Sequence, residues 1–130
     1  VIADFTRKMV KGRSVMVLAT TGSTIECIAS LDRKLHFLSI QRAGKKDAKK
    51  RSIPLEEIEK VSVGTDLASE SGLPLDEFCV CFMLKEGQAI AFRIEDIEER
   101  DTFALILSMF VDQRTQEVER KKLKEAQKKK

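Results

Sequence analysis

Short apolar segments separated by turn-forming residues fill most of this chain, and helical spacing of apolar residues appears only near its C-terminal end. Segments of this length, rich in Val, Ile and Phe and bounded by Gly, Pro, Asp or Ser, predict β-strands joined by hairpins. A polar loop at residues 64–77 interrupts the series. The apolar segments fall at residues 14–20, 24–31, 35–40, 51–63, 78–84 and 89–94. Pro54 cannot donate a backbone hydrogen bond, so the fourth strand is expected to begin late or to lie at a sheet edge.

A long helix is predicted from Asp96 or Ile97 onward. Asp96 and Glu99 have the spacing of an N-terminal capping box. Apolar residues then follow at helical spacing: Phe103, Leu107, Phe110 and Val111. Beyond Asp112 few apolar residues remain, so the second half of the helix is expected to project into solvent or to meet a partner.

These elements predict a mainly β fold, with six or seven strands and one C-terminal helix. The arrangement we expect is a seven-stranded antiparallel barrel or half-open sandwich, capped by the long helix. With 130 residues and 42% hydrophobic composition, the chain is large enough for one domain with a real core. We expect that domain at residues 1–112 and a basic helical extension or tail at residues 113–130.

Charge is distributed unevenly along the chain, although the formal net charge is only +3. Residues 42–51 and 120–130 together hold 13 of the 24 basic residues and 2 of the 21 acidic ones. The remainder, with 11 basic and 19 acidic residues, is acidic. The pattern predicts an acidic body with two basic appendages.

Composition also bounds the cellular setting. No apolar run approaches the roughly 20 residues of a membrane-spanning helix, so a soluble chain is expected. Three cysteines do not suggest a disulfide framework, which favours a reducing, intracellular compartment. The chain begins at Val1 without an initiator methionine, so a longer native N-terminus is expected, and any lipid anchor would lie there.

The order of elements, and several of its segments, resemble the pleckstrin-homology superfold. "IPLEEIEKVSVG" at residues 53–64 is similar to the fourth strand of the phospholipase-type branch. "FCVCFML" and "AIAFRI" resemble the sixth and seventh strands, and "RDTFALILSMF" resembles the closing helix. The resemblance covers about residues 10–111. The helix tryptophan typical of that superfold is absent, and Phe103 is expected to take its place.

Within that superfold the chain looks most like the apicomplexan inner membrane complex sub-compartment proteins. The resemblance implies a small intracellular protein built on one pleckstrin-homology-like domain and tethered by acylation of an N-terminal extension. It further implies a peripheral membrane protein that acts through protein contacts during daughter-cell formation.

The resemblance directs attention to the first hairpin, where phosphoinositide-binding members carry lysines and arginines that contact several phosphates at once. Here the hairpin "VLATTGSTIECIA" contains no basic residue. We interpret it as a degenerate phosphoinositide hairpin, with these residues: Thr20, Thr21, Gly22, Ser23, Thr24 and Glu26. Arg13 and Lys34 flank it, so a weaker, rearranged site stays open.

A basic stretch, "QRAGKKDAKKR" at residues 41–51, falls between the third and fourth strands, at the same open end as the hairpin if the resemblance holds. Each Lys or Arg near an acidic membrane adds about 1 kcal/mol of attraction, so the stretch could assist a lipid anchor. The alternative is a solvated loop that supports solubility. The candidate anionic-lipid contacts are Arg42, Lys45, Lys46, Lys49, Lys50 and Arg51.

Other kinds of site have little support in the sequence. His36 has no evident nucleophile beside it, and no phosphate-binding glycine loop is present, so no enzyme and no cofactor are expected. Cys79 and Cys81 would share one face of a strand, yet their spacing, even with Cys27 and His36, suits apolar packing better than zinc. The tail could be a frayed helix end or a basic arm. With no Tyr or Trp for stacking and an acidic body, nucleic acid is not an expected partner.

Two function classes remain: a protein-interaction scaffold and an anionic-lipid or phosphoinositide-binding module. The uncharged "TTGST" turn favours the scaffold. We therefore expect protein partners of unknown identity, an acidic membrane surface as a possible further contact through the basic loop, and no specific small molecule.

Overall fold

Seven antiparallel strands form a single sheet in the computed structural model, which describes residues 2–44 and 49–128. The order across the sheet is β4-β3-β2-β1-β7-β6-β5, so β4 and β5 are its two edges and the sheet is not closed. The strands are β1 Arg13–Leu18, β2 Thr24–Leu31, β3 Phe37–Arg42, β4 Arg51–Pro54, β5 Ile58–Val63, β6 Cys79–Leu84 and β7 Ala89–Arg93. The helices are α1 Ile2–Lys11, α2 Ala68–Ser71 and α3 Ile97–Lys128. This confirms the predicted fold class in its half-open form.

The apolar segment at residues 51–63 forms two strands instead of the single fourth strand that we predicted. Pro54 ends β4, and a 3-10 turn, Leu55–Glu57, separates it from β5. Leu55 is fully buried, and its N–H donates to the His36 carbonyl oxygen at 2.9 Å, which fixes the turn in place. The turn thus carries the chain from one sheet edge to the other, and Pro54 lies at an edge as predicted.

The third strand begins later than its apolar pattern indicates, at Phe37 instead of residue 35. The Asp32 carboxylate accepts hydrogen bonds from the N–H groups of His36 (2.7 Å) and Phe37 (2.8 Å), which extends the turn after β2. Burial raises the pKa of Asp32, but these N–H donors outweigh it and hold the pKa below its ordinary value. Leu35 adopts a left-handed conformation, φ 59°, within this turn.

Helix α1 was missing from the sequence prediction. Its signal is the spacing of Ile2, Phe5 and Met9, of which Phe5 and Met9 are buried. A helix of ten residues is marginal in water, so its stability depends on packing against the rest of the domain. Gly12, with φ +103°, turns the chain into β1, and a Cβ there would lie 3.0 Å from Ile28 Cγ2.

Helix α3 starts where the sequence predicts. The Asp96 carboxylate accepts from the N–H groups of Glu98 (2.9 Å) and Glu99 (3.2 Å) and caps the helix. The reciprocal half of the expected capping box is not formed, because the Glu99 carboxylate pairs with Arg13 at 3.0 Å. No described helix is both long enough and apolar enough to cross a membrane.

Aromatic rings connect α1, α3 and the sheet through one continuous series of edge-to-face contacts. Phe103 of α3 lies 5.5 Å from Phe5 and 5.7 Å from Phe92, and Phe92 lies 5.2 Å from Phe82, between ring centroids. Phe103 is fully buried, and the Arg13 guanidinium stands 5.7 Å from its ring centroid. Phe103 therefore has the central position in the core that the resemblance assigned to it.

A second, smaller core lies beneath the loop between β5 and β6. The loop places Leu67, with Leu73 and Leu75 beside it, over a group of buried residues: Leu18, Cys79, Cys81, Met83 and Ala91. Strand β6 is consequently buried along its whole length. The interpretation of Cys79 and Cys81 as buried packing residues on one face agrees with this placement, and burial raises the pKa of both thiols.

The second half of α3 leaves the domain gradually. Arg114 still contacts it, with Nε 3.4 Å from Glu56 Oε2 and Nη1 3.3 Å from His36 Nε2. From Glu119 to Glu125 every side chain is exposed. The division at residue 112 stays a prediction.

Replacing Phe103 with Ala should lower the free energy of unfolding by about 3–5 kcal/mol, because the cavity would remove three helix and strand contacts at once. Urea denaturation followed by circular dichroism measures the loss. Leu105→Ala is the matched control, since Leu105 lies on the same helix with 65% of its surface exposed and should change stability by no more than about 0.5 kcal/mol. Equal losses in the two variants would show that the aromatic series does not organise the core.

Candidate functional site

Three connections meet at one end of the sheet, which we call the open end: the β1–β2 turn (residues 19–23), the β3–β4 loop and the β6–β7 turn (residues 85–88). The Ala43 N–H, just after β3, donates to the Glu26 carbonyl oxygen of β2 at 3.0 Å. The Arg51 guanidinium, at the start of β4, donates to the Gln88 side-chain oxygen and lies 3.9 Å from Glu86 Oε1. The structure therefore brings the described ends of the basic loop together with the first hairpin.

The β1–β2 turn is closed by its own polar groups. The Ala19 N–H donates to the Ser23 carbonyl oxygen (2.8 Å), and the Gly22 N–H donates to the Ala19 carbonyl oxygen (3.0 Å). The Thr21 and Ser23 hydroxyl oxygens are 2.9 Å apart. Gly22 has φ +91°, a conformation that side chains other than glycine's rarely adopt. Thr20 belongs to the same turn, so the turn offers hydroxyls but no cation.

Strand β2 continues the uncharged character of the hairpin on its inner face. Thr24 opens the strand, and Ile25, opposite Val17, faces the same side as the buried Cys27. Glu26 points to the outer face, where its carboxylate accepts from the Ser14 hydroxyl at 3.1 Å. The mouth of the open end is thus apolar on this side, and its nearest charge on β2 is negative.

The basic loop contributes cations from the other side of the mouth. Arg42 ends β3 opposite Cys27, and Lys49 and Lys50 precede β4, all three with exposed side chains. None of the three forms an ion pair with another residue in the described ranges. Arg51 differs, because Glu86 and Gln88 engage its guanidinium. Lys45 and Lys46 lie outside the described residues.

One cleft borders the open end and another lies between α1 and α3, and neither has the charge balance of a phosphate site. The smaller, about 380 Å³, runs along the free edge of β4 and is lined by Arg51 but also by Glu57 and Glu86. The larger, about 610 Å³, separates α1 from the start of α3. Its charged lining residues are three basic and three acidic: Lys8, Lys11, Arg13, Asp4, Glu98 and Glu99. A multiply charged anion would meet carboxylates in both clefts.

The described residues include no group of three or more His, Cys, Asp and Glu side chains arranged to hold a metal ion. Cys27 lies in the main core, whereas Cys79 and Cys81 lie in the smaller one. His36 is partly exposed, 3.3 Å from Arg114 and 3.8 Å from Glu117, so a cation and a carboxylate face its Nε2 atom. The contacts of His36 are those of a structural side chain that joins α3 to the turn after β2.

One polar cluster escaped the sequence prediction, and it fastens the β5–β6 loop to the sheet. Asp76 Oδ2 accepts from Arg93 Nε at 2.9 Å, and Asp76 Oδ1 accepts from the Phe78 N–H at 2.9 Å. The Arg93 guanidinium also lies 5.0 Å from the Phe78 ring centroid. Burial raises the pKa of Asp76, but the Arg93 and Phe78 hydrogen bonds lower it more, so the pKa is below its ordinary value.

Asp76→Asn should lower the free energy of unfolding at pH 7, because it removes the charge that holds Arg93. A carboxylate whose pKa is lowered on folding stabilises the protein above its unfolded pKa, about 3.9, and loses that contribution as pH falls through the folded pKa. The difference in free energy of unfolding between wild type and variant should therefore be largest near neutral pH and should shrink towards about pH 2.5. Urea unfolding at both pH values measures it.

Glu77→Gln serves as the control for Asp76→Asn, because Glu77 is exposed in the same loop. It should leave the urea midpoint nearly unchanged at neutral pH. A gap for Asp76→Asn that stayed constant down to acid pH would mean that the carboxylate charge is not what stabilises the loop.

A half-open seven-stranded sheet, with an end helix filling it and connecting loops gathered at one open end, defines a pleckstrin-homology-like domain. The N-terminal pleckstrin-homology domain of human ARAP2 has this fold too, with a TM-score of 0.61, 19% identity and 80% coverage of both chains. In this chain the open end has cations on the β3–β4 side and none on the first hairpin.

A family model described as ISP3 C-terminal matches residues 2–109, and the chain belongs to that family. The structure is similar to that of inner membrane complex sub-compartment protein 3 from Toxoplasma gondii, with TM-score 0.67, 26% identity, and coverage of 87% of this chain and 84% of that one. For sub-compartment protein 1 from the same organism the TM-score is 0.72 and the identity 25%, with coverage of 85% of this chain and 90% of that one. No curated protein matches the chain. The resemblance predicted from the sequence is confirmed.

Proposed function

We propose that this protein is a non-catalytic scaffold, peripheral on the inner membrane complex inside an apicomplexan cell, whose pleckstrin-homology-like domain binds other proteins. The observation that carries the proposal is the uncharged first hairpin, residues 19–24, at an end of the sheet where three connections meet. A phosphoinositide with several phosphates needs cations converging from both sides of the mouth. Arg42, Lys49 and Lys50 supply them from one side alone.

Attachment to the membrane is assigned to an acylated N-terminal extension, with the basic loop as a secondary contact. Each cation near an anionic surface adds about 1 kcal/mol, so Lys49 and Lys50 assist an anchor but do not replace one. The family membership supports a role at the inner membrane complex, and the proposal extends this role to daughter-cell formation. Protein partners would use the domain surface and the projecting part of α3, residues 119–125.

A second candidate function, an anionic-lipid-binding module, is favoured by one specific observation. Arg42, Lys49 and Lys50 are exposed at the rim of the open end without ion-pair partners among the described residues. Such cations attract any acidic surface without selecting one headgroup. The two functions differ in whether the lipid contact alone holds the protein on a membrane.

Lys49→Glu/Lys50→Glu should weaken binding to phosphatidylserine vesicles by at least about thirtyfold at low salt, because two attractive charges are lost and two repelled ones are added. Co-sedimentation measures the binding. The matched control, Lys121→Glu/Lys122→Glu, makes the same charge change on the projecting part of α3 and should bind within about twofold of wild type. Equal losses of vesicle binding in both variants would show that the contact depends on net charge alone. If soluble inositol phosphates compete with the vesicles, a headgroup site is retained.

Removing residues 119–130 should weaken co-purification of a partner protein from apicomplexan lysate while leaving the thermal midpoint nearly unchanged, because every side chain from Glu119 to Glu125 is exposed. Cross-linking followed by mass spectrometry identifies what the full chain recovers. A variant of the hairpin, Thr20→Lys/Ser23→Lys, is the second arm and should recover the same partner. A partner retained by the truncated chain would place the contact on the domain instead.

A further inference from the structure

Ser52 follows directly after three cations at the edge of the sheet. Lys49, Lys50 and Arg51 occupy the three positions before it, and the apolar Ile53 comes after it. Protein kinases discriminate among substrates partly by charge pattern, and a kinase with an acidic substrate groove prefers a serine preceded by closely spaced cations. The sequence around Ser52 has the charge pattern that such a groove recognises.

Structure decides which serine in this chain can be reached. Ser14 has a similar preceding pattern, with Lys11 and Arg13, but β1 is hydrogen-bonded between β2 and β7, and its hydroxyl donates to Glu26. Ser52 lies on β4, four residues long, which pairs with β3 alone. Its side chain is exposed.

Reaching Ser52 requires local opening of the short edge strand β4. Its hydroxyl has one described side-chain neighbour, the Ser39 hydroxyl at 3.2 Å, and the free edge of β4 borders the cleft of about 380 Å³. Lys49 and Lys50 belong to no helix or strand. Ile53 is buried, so the kinase must capture β4 when this short edge strand opens locally.

We propose that Ser52 is a phosphorylation site for a protein kinase that selects basic sequences, with ATP as phosphoryl donor. The Ser52 Oγ forms a bond to the γ-phosphorus of ATP while that phosphorus loses its bond to the β,γ-bridging oxygen. ADP leaves, and the hydroxyl proton passes to the base of the kinase. Ser39 can then donate its hydroxyl to a phosphoryl oxygen.

The modification would change the charge of the open end. A phosphoserine carries about −1.5 to −2 at pH 7. Two positions along a chain span at most about 7 Å between Cα atoms, so Ser52 lies within a Debye length of Lys50. The phosphate offsets about two of the cations that face an acidic membrane. The site thus acts as an electrostatic switch, a consequence that rests on the lipid contact in the proposed function.

The test incubates the full chain with the catalytic subunit of a cyclic-AMP-dependent protein kinase and Mg-ATP, and maps phosphate by mass spectrometry. We expect one phosphate per chain, on Ser52. Ser52→Ala should lose it, Ser14→Ala should keep it, and Lys49→Ala/Lys50→Ala should lower the initial rate at least about tenfold. Phosphate on another residue, or a rate independent of Lys49 and Lys50, overturns the assignment.

The second readout compares vesicle binding of the phosphorylated and unmodified chains, with an expected loss of about tenfold to thirtyfold. If Ser52 is modified but neither form binds vesicles, the lipid contact fails while the phosphorylation site stands. If both forms bind equally, the switch is refuted even though the site exists. Circular dichroism of both forms excludes unfolding as the cause of any loss.

Discussion

An antiparallel sheet with two free edges cannot bury its inner face by itself, and in this domain α3 supplies the missing wall. The edges are β4 and β5, which the Leu55–Glu57 turn joins without any strand pairing between them. Phe103 brings the helix onto the sheet through Phe92, and Arg114 brings it onto the turn through Glu56. The Arg114 Nε and Glu56 Oε2 atoms are both buried at 3.4 Å without a well-aligned hydrogen bond, so this contact positions the helix mainly by charge.

Placing the core between sheet and helix leaves the two basic segments outside it. The described cations of the β3–β4 loop and of the exposed end of α3 lie on surfaces, and burial of neither segment is needed for folding. Their charge is therefore available for contacts with other molecules. The acidic remainder of the chain limits what those molecules can be, because an extended polyanion on one basic segment would also approach carboxylates such as Glu86 or Glu26.

Much of the fold was predictable from local patterns. Strand and hairpin signals are periodic, and Asp96 followed by a stripe of apolar residues predicts the start of α3. Helix α1 was not, since ten residues with two buried side chains acquire their stability from Phe103, almost 100 residues away in sequence. The division of residues 51–63 into β4 and β5 depends on a turn that His36 holds. Local periodicity reveals neither the contact of Phe103 with α1 nor the contact of His36 with the turn.

Some features of the candidate site were also predictable from the sequence, whereas others depend on long-range contacts. The lack of cations on the first hairpin is a property of composition, so the sequence alone shows it. Arg51 contacts Glu86 and Gln88 because the sheet brings the β6–β7 turn beside the start of β4. Arg42, Lys49 and Lys50 form no ion pair among the described residues, and this depends on the same arrangement of turns. Likewise, Asp76 meets Arg93 only because the β5–β6 loop folds back over β6 and β7.

The asymmetry of the open end is the strongest physical argument about what this domain binds. A soluble polyphosphate ligand loses translational freedom on binding, and only several simultaneous charge-assisted hydrogen bonds from a rigid site offset that cost. The proposed function follows this reasoning, because the described cations lie on one rim and Val17 and Ile25 on the other side carry no charge. A flat acidic surface makes no such demand, because it presents many charges at once and an anchored protein is already held beside it. The geometry therefore fits the supplementary lipid contact of the proposed function better than a closed site for a soluble polyphosphate.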